Sequence, residues 1–140
     1  MTLVEKNAAP SSWTIVSLGN VAEVKLGKML SPKAHQPGLI FRPYLRNENV
    51  RWGSVDLSDL KEMGFKPEEM ERYTVEPGDL LVCEGGEPGR CAVYRNSALK
   101  VMYQKALHRV RPHGDSVSTL LLRYWLEHLA ASGQLIPRIA

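Results

Sequence analysis

The stretch that decides the fold is EPGDLLVCEGGEPGRCAVY, residues 76–94. Its Pro77-Gly78 pair predicts a tight turn, because proline presets one corner and glycine supplies the positive φ of a type II turn. The apolar run Leu80–Cys83 predicts a buried strand, and Cys91–Tyr94 predicts the strand that returns beside it. A loop with three glycines separates the two runs. We therefore expect a pair of short strands joined by a glycine-rich loop in the middle of the chain.

Helices are predicted on both sides of this strand pair. Pro67–Tyr73 is a short helix with proline in its first turn and glutamates near the positive end of its dipole. A longer helix follows Ser116 or Ser118, either of which can cap it. Residues 117–129 give it a broad apolar stripe at helical spacing, and Gly133 ends it.

The other predicted strands are short and irregularly spaced. Leu18–Val24 is expected to be a turn of helix that runs into a strand, and Tyr44-Leu45 and Gly53–Leu57 are expected to be strands. One further strand is predicted across Val101–Val110. Because strands and long helices do not alternate, a parallel doubly wound sheet is disfavoured. The pattern favours an α+β fold with a twisted, mostly antiparallel sheet of short strands, one short helix and one long amphipathic C-terminal helix.

The 140 residues fit one domain. Residues 1–12 are small and polar without periodicity, so we expect a flexible leader there and a single, partial domain over 13–140. Neither a secretory signal nor a bilayer-spanning apolar run is present in the sequence. Cys83 and Cys91 are too few for a disulfide framework. A cytoplasmic location is therefore expected, with both thiols reduced and buried.

The charge is unevenly spread along the chain. Residues 1–55 hold seven basic residues against three acids, 56–87 hold three against ten, and 88–113 hold six against none. A sharply basic block is typical of a nucleic-acid-binding surface. The alternative is that its arginines and lysines are ordinary outward-facing charges on strands.

No catalytic set of residues can be recognised. The glycine-rich loop at 84–89 lacks the Lys-Ser/Thr pair of a P-loop and is followed by a predicted strand, not a helix. The four histidines have no metal-ligand spacing. We therefore expect no enzyme activity, no cofactor and no metal site.

Two segments favour nucleic-acid binding instead. The segment 42–52 mixes arginines, asparagines and aromatic residues, and arginine and asparagine can fork onto guanine and adenine edges. The segment 88–113 has basic side chains with Gln104 among them. The alternative for Arg46 and Asn49 is that they hold their turn through backbone hydrogen bonds.

The chain contains six short phrases in a fixed order: LGNVAEV (Leu18–Val24), PYLRNENV (Pro43–Val50), PGDLLV (Pro77–Val82), EGG (Glu84–Gly86), GRCAV (Gly89–Val93) and QKALHRVRP (Gln104–Pro112). Each phrase alone is a weak signal. The ordered set, from Trp13 to Gly133, resembles the target-recognition domain of type I restriction-modification specificity subunits.

The resemblance implies a sequence-specific DNA-binding module without catalytic residues of its own. The implied partners are double-stranded DNA, a methyltransferase (modification) subunit, a restriction subunit and a second specificity chain, with no membrane. S-adenosylmethionine would belong to the modification subunit. Base-reading residues in such a family vary with the target, so we expect them beside the shared phrases. The predicted DNA-binding residues are Arg46, Asn47, Asn49, Arg51, Arg90, Arg95, Gln104 and Lys105.

The sequence departs from the family pattern because it stops at Ala140, about where the final strands and a long spacer helix would follow. We therefore expect a C-terminally truncated domain whose last helix leaves apolar surface uncovered. The alternative function is a regulatory fragment that binds another protein without reading DNA.

Overall fold

The computed structural model describes residues 10–135. The helices are α1 (Leu18–Val21), α2 (Pro67–Tyr73) and α3 (Thr119–Ala131). The strands are β1 (Ala22–Leu26), β2 (Ile40–Leu45), β3 (Val50–Arg51), β4 (Ser54–Val55), β5 (Lys61–Phe65), β6 (Thr74–Val75), β7 (Leu80–Cys83), β8 (Cys91–Val93), β9 (Val101–Tyr103) and β10 (Leu107–Pro112). Short 3-10 turns lie at Pro32–His35 and Asn47–Asn49.

The strands divide into two four-stranded sheets and one hairpin. Sheet 1 has the order β1-β10-β7-β8 and is antiparallel throughout. Sheet 2 has the order β5-β2-β9-β6, in which β2 and β9 are parallel and the other neighbours antiparallel. The hairpin pairs β3 with β4. The predicted α+β class with mostly antiparallel short strands is confirmed, although the strands are shared among three sheets and not one.

The main core lies where the two sheets face each other. Leu81 and Leu107 of sheet 1 belong to one buried cluster with Leu45 and Tyr103 of sheet 2. The opposite face of sheet 1 is covered by α3, which buries Leu126 and Leu129. The opposite face of sheet 2 is covered by α2 and the 3-10 turn at Pro32–His35. Each sheet therefore presents apolar side chains to both of its faces.

Several sequence predictions are confirmed residue by residue. The helix at Pro67–Tyr73 has the predicted bounds. Gly78 has φ +95°, as the predicted type II turn requires. Of the two candidate caps for α3, the side chain of Ser118 accepts a hydrogen bond from the Leu121 amide. Gly133 follows α3 with φ +75°, which is the conformation of a C-terminal cap.

The predicted strand across Val101–Val110 is wrong, because a turn at residues 104–106 divides it into β9 and β10. Ala106 has φ +88°, a conformation that residues other than glycine rarely adopt. The Glu84 amide donates to the Ala106 carbonyl at 2.8 Å, and the Lys105 amide donates to the Lys28 carbonyl at 2.8 Å. Bonds to distant segments therefore hold a turn that has no local sequence signature. Strand β5 was not predicted either.

The predicted leader at 1–12 falls mostly outside the described residues, which begin at residue 10. The same holds for the end of the predicted domain beyond residue 135. The boundaries 1–12 and 13–140 therefore stay predictions.

Candidate nucleic-acid interface

Three polar segments meet at one end of the two sheets. The Asn47 side chain donates to the Gly85 carbonyl at 2.9 Å, and the backbone amide of Gln104 donates to the Leu45 carbonyl at 3.0 Å. Together with the bond from Glu84 to Ala106, these contacts join residues 46–49, 84–90 and 104–106, which we call the loop cluster. It contains six of the predicted DNA-binding residues: Arg46, Asn47, Asn49, Arg90, Gln104 and Lys105.

Asn49 holds its turn together and is 2% exposed. Its side-chain oxygen accepts from the Arg46 amide at 2.8 Å. Its side-chain nitrogen donates to the Asp56 and Asp59 carbonyls, each at 3.0 Å. This is the structural alternative that the sequence left open. The amide of Asn49 has no free face for a base, so we exclude it from the interface proposed below.

Arg46 is tied to the same turn. Its guanidinium donates to the Asp59 carbonyl at 3.1 Å and lies 3.2 Å from the Asp59 carboxylate. A second carboxylate, that of Glu48, lies 3.7 Å away. Only 14% of the side chain is exposed. The carboxylates of Asp59 and Glu48 therefore compensate the charge of Arg46 within the protein itself.

Arg90 connects the glycine-rich loop to the turn at 46–49. Its Nε donates to the Val50 carbonyl at 2.7 Å and its Nη2 to the Asn47 carbonyl at 3.1 Å. Nη1 lies 3.4 Å from the Glu87 carboxylate. Because its guanidinium binds two backbone carbonyls, the main role of Arg90 is to position the glycine-rich loop. Asn47, whose Nδ2 bonds Gly85, has a side-chain oxygen with no hydrogen-bond partner among the described residues.

Of the remaining two predicted arginines, Arg51 follows the loop cluster in sequence and Arg95 lies away from it. Arg51 is on β3, 68% exposed at its side chain, and 3.6 Å from the Asp56 carboxylate. Arg95 is exposed and follows β8 at the end opposite the glycine-rich loop, where the Tyr94 amide bonds the Asp79 carbonyl. The eight predicted residues therefore do not form one continuous face.

Gln104 and Lys105 differ from the other predicted residues of the loop cluster because their side chains are free. Lys105 is exposed and Gln104 is half-buried. Neither side chain makes a hydrogen bond or an ion pair with any residue in the range 10–135. Within the loop cluster, these two are the predicted residues that are available to a ligand without breaking an existing contact.

A neighbouring loop that the sequence analysis did not single out lies against this turn. Lys28 pairs with Gln104 through a parallel bridge. Met29 and Leu30 follow at 62% and 44% exposure, and Lys33 is exposed in the next turn. We call Met29, Leu30, Gln104 and Lys105 the open edge. The sequence feature that could have indicated this loop is the absence of any acidic residue between Glu23 and Glu48.

The side chain of Lys28 fixes this loop to the protein. Its Nζ donates to the Gly64 carbonyl at 2.9 Å and to the Glu69 carboxylate at 3.0 Å, and lies 4.9 Å from the Phe65 ring centroid. Burial acts to raise the pKa of Glu69, but hydrogen bonds from the Lys66 amide and from Lys28, with their positive charges, outweigh it and lower the pKa below 4.5. The carboxylate therefore stays charged opposite Lys28 at neutral pH.

The basic block at 88–113 does not form a single positive surface. Arg109 is 1% exposed, donates to the carbonyls of Arg72 and Thr74 at 3.0 and 2.7 Å, and reaches the Glu23 carboxylate at 2.6 Å. Arg111 makes two hydrogen bonds to the carboxylate of Asp79, at 2.8 and 2.7 Å. Both arginines are structural, and the carboxylates of the acidic stretch and of β1 compensate them.

Arg109 and Arg111 line a groove of about 310 Å³ beside α2. Its other lining residues are Glu23, Lys25, Glu68, Glu71 and Arg72. The groove is polar and of mixed charge, and Arg109 and Arg111 already have carboxylate partners. In the part of the chain that the structure describes, no group of three or more His, Cys, Asp or Glu side chains is placed to hold a metal ion.

The two thiols are buried, as predicted. Cys91 is the register partner of Val82, so Cys83, one residue along β7, points to the opposite face of sheet 1. Burial raises the pKa of the Cys91 thiol to about 12 and also raises that of Cys83. Both therefore remain protonated at neutral pH and act as small apolar residues of the core.

Comparison with solved structures shows that the chain shares its fold with part of an HsdS subunit and with part of a chain from a type I R-M system. The HsdS subunit from Thermoanaerobacter tengcongensis matches with a TM-score of 0.64 and 20% identity. A chain from a structure of the assembly and conformational transition of the type I R-M system matches with a TM-score of 0.65 and 20% identity. Each match covers 91% of this chain and 31% of the other, so the chain spans about a third of their length.

These likenesses confirm the fold that the sequence resemblance implied. No protein-family model matches the chain, and no curated protein matches it. Among residues 10–135, none of the helices has the length and apolar character needed to cross a bilayer.

Proposed function

We propose that the chain is a target-recognition module that binds double-stranded DNA through the open edge and the adjoining loop cluster. The observation that carries the proposal is the meeting of three polar segments around Gln104 and Lys105. The shared fold with part of an HsdS subunit supports it. DNA recognition also needs exposed polar side chains that a rigid scaffold presents, and the hydrogen bonds of Asn49, Arg46 and Arg90 provide that rigidity.

The free side chains divide into two roles. The amide of Gln104 has the donor and acceptor that can pair with the N6 and N7 edge of adenine. The ammonium of Lys105 is a point charge that suits a phosphate, and phosphate contacts fix the register of a protein on the duplex. Arg51, exposed and only loosely paired with Asp56, is the next candidate for a phosphate contact.

In this proposal the chain has no catalytic role and works in the cytoplasm as part of a larger assembly. A methyltransferase subunit would modify the bound DNA and a restriction subunit would cut it. A second specificity chain, or a further part of the same one, would read the other half of a bipartite target. The chain needs no cofactor for binding, because Gln104 and Lys105 are protein side chains that contact DNA directly.

The test is a fluorescence-anisotropy titration of a labelled duplex pool with a randomised centre at several salt concentrations. We expect binding whose logarithm falls linearly with the logarithm of salt concentration, since each phosphate contact releases counterions. Selection from the pool should enrich a short motif. A folded protein that fails to bind the pool at low salt would refute the proposal.

The variant Lys105→Ala tests whether this particular residue contacts DNA. The variant should bind more weakly and reduce the salt slope by about 0.9, the value for one lost phosphate contact. Lys100→Ala is the matched control, because Lys100 is also exposed, makes no ion pair among the described residues, and lies at the other end of β9. Equal effects of the two substitutions would mean that the open edge is not the DNA-binding site.

A second candidate, a protein-interaction module, is favoured by one observation on α3. Leu120, Leu121 and Tyr124 are 40%, 66% and 55% exposed there. Exposed apolar patches of this kind mark interaction surfaces. If this candidate is correct, light scattering should show self-association or complex formation that Leu121→Ser removes, with no binding to the duplex pool.

A further inference from the structure

The open edge contains an exposed apolar pair among polar neighbours. Met29 is 62% exposed and Leu30 is 44% exposed. The residue before them, Lys28, accepts a hydrogen bond from the Lys105 amide at 2.8 Å and forms a bridge with Gln104. The apolar pair thus directly follows the residue whose backbone pairs with the backbone of Gln104 and Lys105.

The pair is held in place and is not part of a loose loop. The Lys28 amide donates to the Tyr103 carbonyl at 3.1 Å, and the Lys28 side chain is anchored at Gly64 and Glu69. Gly27 packs so closely on the Gln104 carbonyl that a Cβ there would collide with it. These contacts hold Gly27 and Lys28, the residues just before Met29, in place. The fold therefore determines that Met29 and Leu30 are exposed.

The charge around the pair points to a polyanion as its partner. No carboxylate occurs in the sequence between Glu23 and Glu48, and Lys33 and Lys105 are exposed without ion pairs among the described residues. Duplex DNA combines a phosphate backbone with apolar surface on its bases, which matches apolar side chains flanked by cations. An apolar protein partner would not account for the unpaired cations.

We propose that Met29 and Leu30 make apolar contacts with the base pairs of the duplex that Gln104 and Lys105 bind, an inference that rests on the proposed function. Two surfaces of a base pair offer this chemistry. One is the thymine methyl group in the major groove. The other is the face of a base at a step that an apolar side chain partly unstacks.

The test compares the salt dependence of DNA binding in Met29→Ser/Leu30→Ser and in the parent chain. Apolar contacts release no counterions, so the variant should bind on the order of tenfold more weakly at every salt concentration with an unchanged slope. Lys105→Ala, in contrast, should lower the slope. Leu121→Ser is the matched control, because Leu121 is 66% exposed but lies on α3, and it should bind like the parent.

Met29→Gln keeps the side-chain length and adds polarity, and it decides the question if the double variant folds poorly. Unchanged affinity in the folded variants overturns the inference while the proposed function stands. A parent chain that does not bind the pool overturns both. A lowered slope in the serine variant also contradicts the inference, because it would indicate lost phosphate contacts.

Two modified duplexes distinguish the two base surfaces, with a duplex of an enriched sequence as the probe. Replacing thymine by uracil removes the methyl groups and should reduce the advantage of the parent over the serine variant if they are contacted. A fluorescent adenine analogue should brighten on binding if a step is unstacked. If neither duplex responds, the apolar contact with base pairs does not exist.

Discussion

Arg109 and Arg111 of β10 are close in sequence to Gln104 and Lys105 of the open edge, but the contacts of their side chains differ. Arg109 and Arg111 have carbonyl and carboxylate acceptors from β1, α2, β6 and the turn before β7. The side chains of Gln104 and Lys105, which precede the same strand, have no such acceptors among residues 10–135. The difference teaches that a run of basic residues does not define a binding surface. The acceptors that the fold brings to each side chain decide whether it holds the protein together or remains available.

The largest expected effect on stability is that of Arg109→Leu. The substitution removes three hydrogen bonds, after which the Thr74 carbonyl keeps only Arg111 and the Glu23 carboxylate keeps only Lys25. Losing three hydrogen bonds from a guanidinium that is only 1% exposed costs about 3 kcal/mol. Urea denaturation should show this loss in the free energy of unfolding. Arg95→Ala, at an exposed arginine without an ion pair among the described residues, should leave it unchanged, and similar values for both variants would mean that Arg109 is not structural.

Asn49→Ala should come next, and it tests the exclusion of Asn49 from the interface. The substitution leaves the Arg46 amide and the Asp56 carbonyl without a partner and the Asp59 carbonyl with Arg46 alone, which costs about 2 kcal/mol. At a temperature where the variant is folded, its affinity for the duplex pool should match that of the parent. Unchanged stability combined with weaker DNA binding would show that Asn49 contacts DNA after all.

The smallest expected effect concerns the anchor of the open edge at low pH. Because the folded protein lowers the pKa of Glu69, the stabilisation by this carboxylate is present above about 4.5 and is lost as the pH falls through its lowered folded-state pKa. Glu69→Gln should therefore make the acid side of the stability curve shallower. Glu68→Gln, one residue along α2, serves as the control because Glu68 makes no ion pair among the described residues. An identical acid slope in the two variants would contradict the role given to Glu69.

Local sequence signals predicted the local structure well. Helix α2, the Pro77-Gly78 turn and the strand β7 follow from proline, glycine and apolar patterns that act over a few residues. The turn at 104–106 could not be predicted, since distant backbone groups of Lys28 and Glu84 hold Ala106 at positive φ. The parallel pairing of β2 with β9 also could not be predicted, because it joins strands that are far apart in the sequence.

The candidate site was predicted less well than the fold, for the same reason. The residue types were a sound guide to a polar cluster, but the sequence does not show that Asp59 lies beside Arg46 or that the Val50 carbonyl lies beside Arg90. Those pairs form between segments that the fold brings together. The absence of acidic residues after Glu23 is visible in the sequence. It indicates a binding surface only in combination with the contact between Lys28 and Gln104, which the structure shows.

Amide chemical-shift mapping by NMR during titration with duplex DNA tests the central contrast most directly. We expect shifts concentrated at Lys28–Leu30 and Gln104–Ala106, with little change at Arg109–Arg111. Shifts centred on the arginines of β10 or on α3, with the open edge unaffected, would contradict the account.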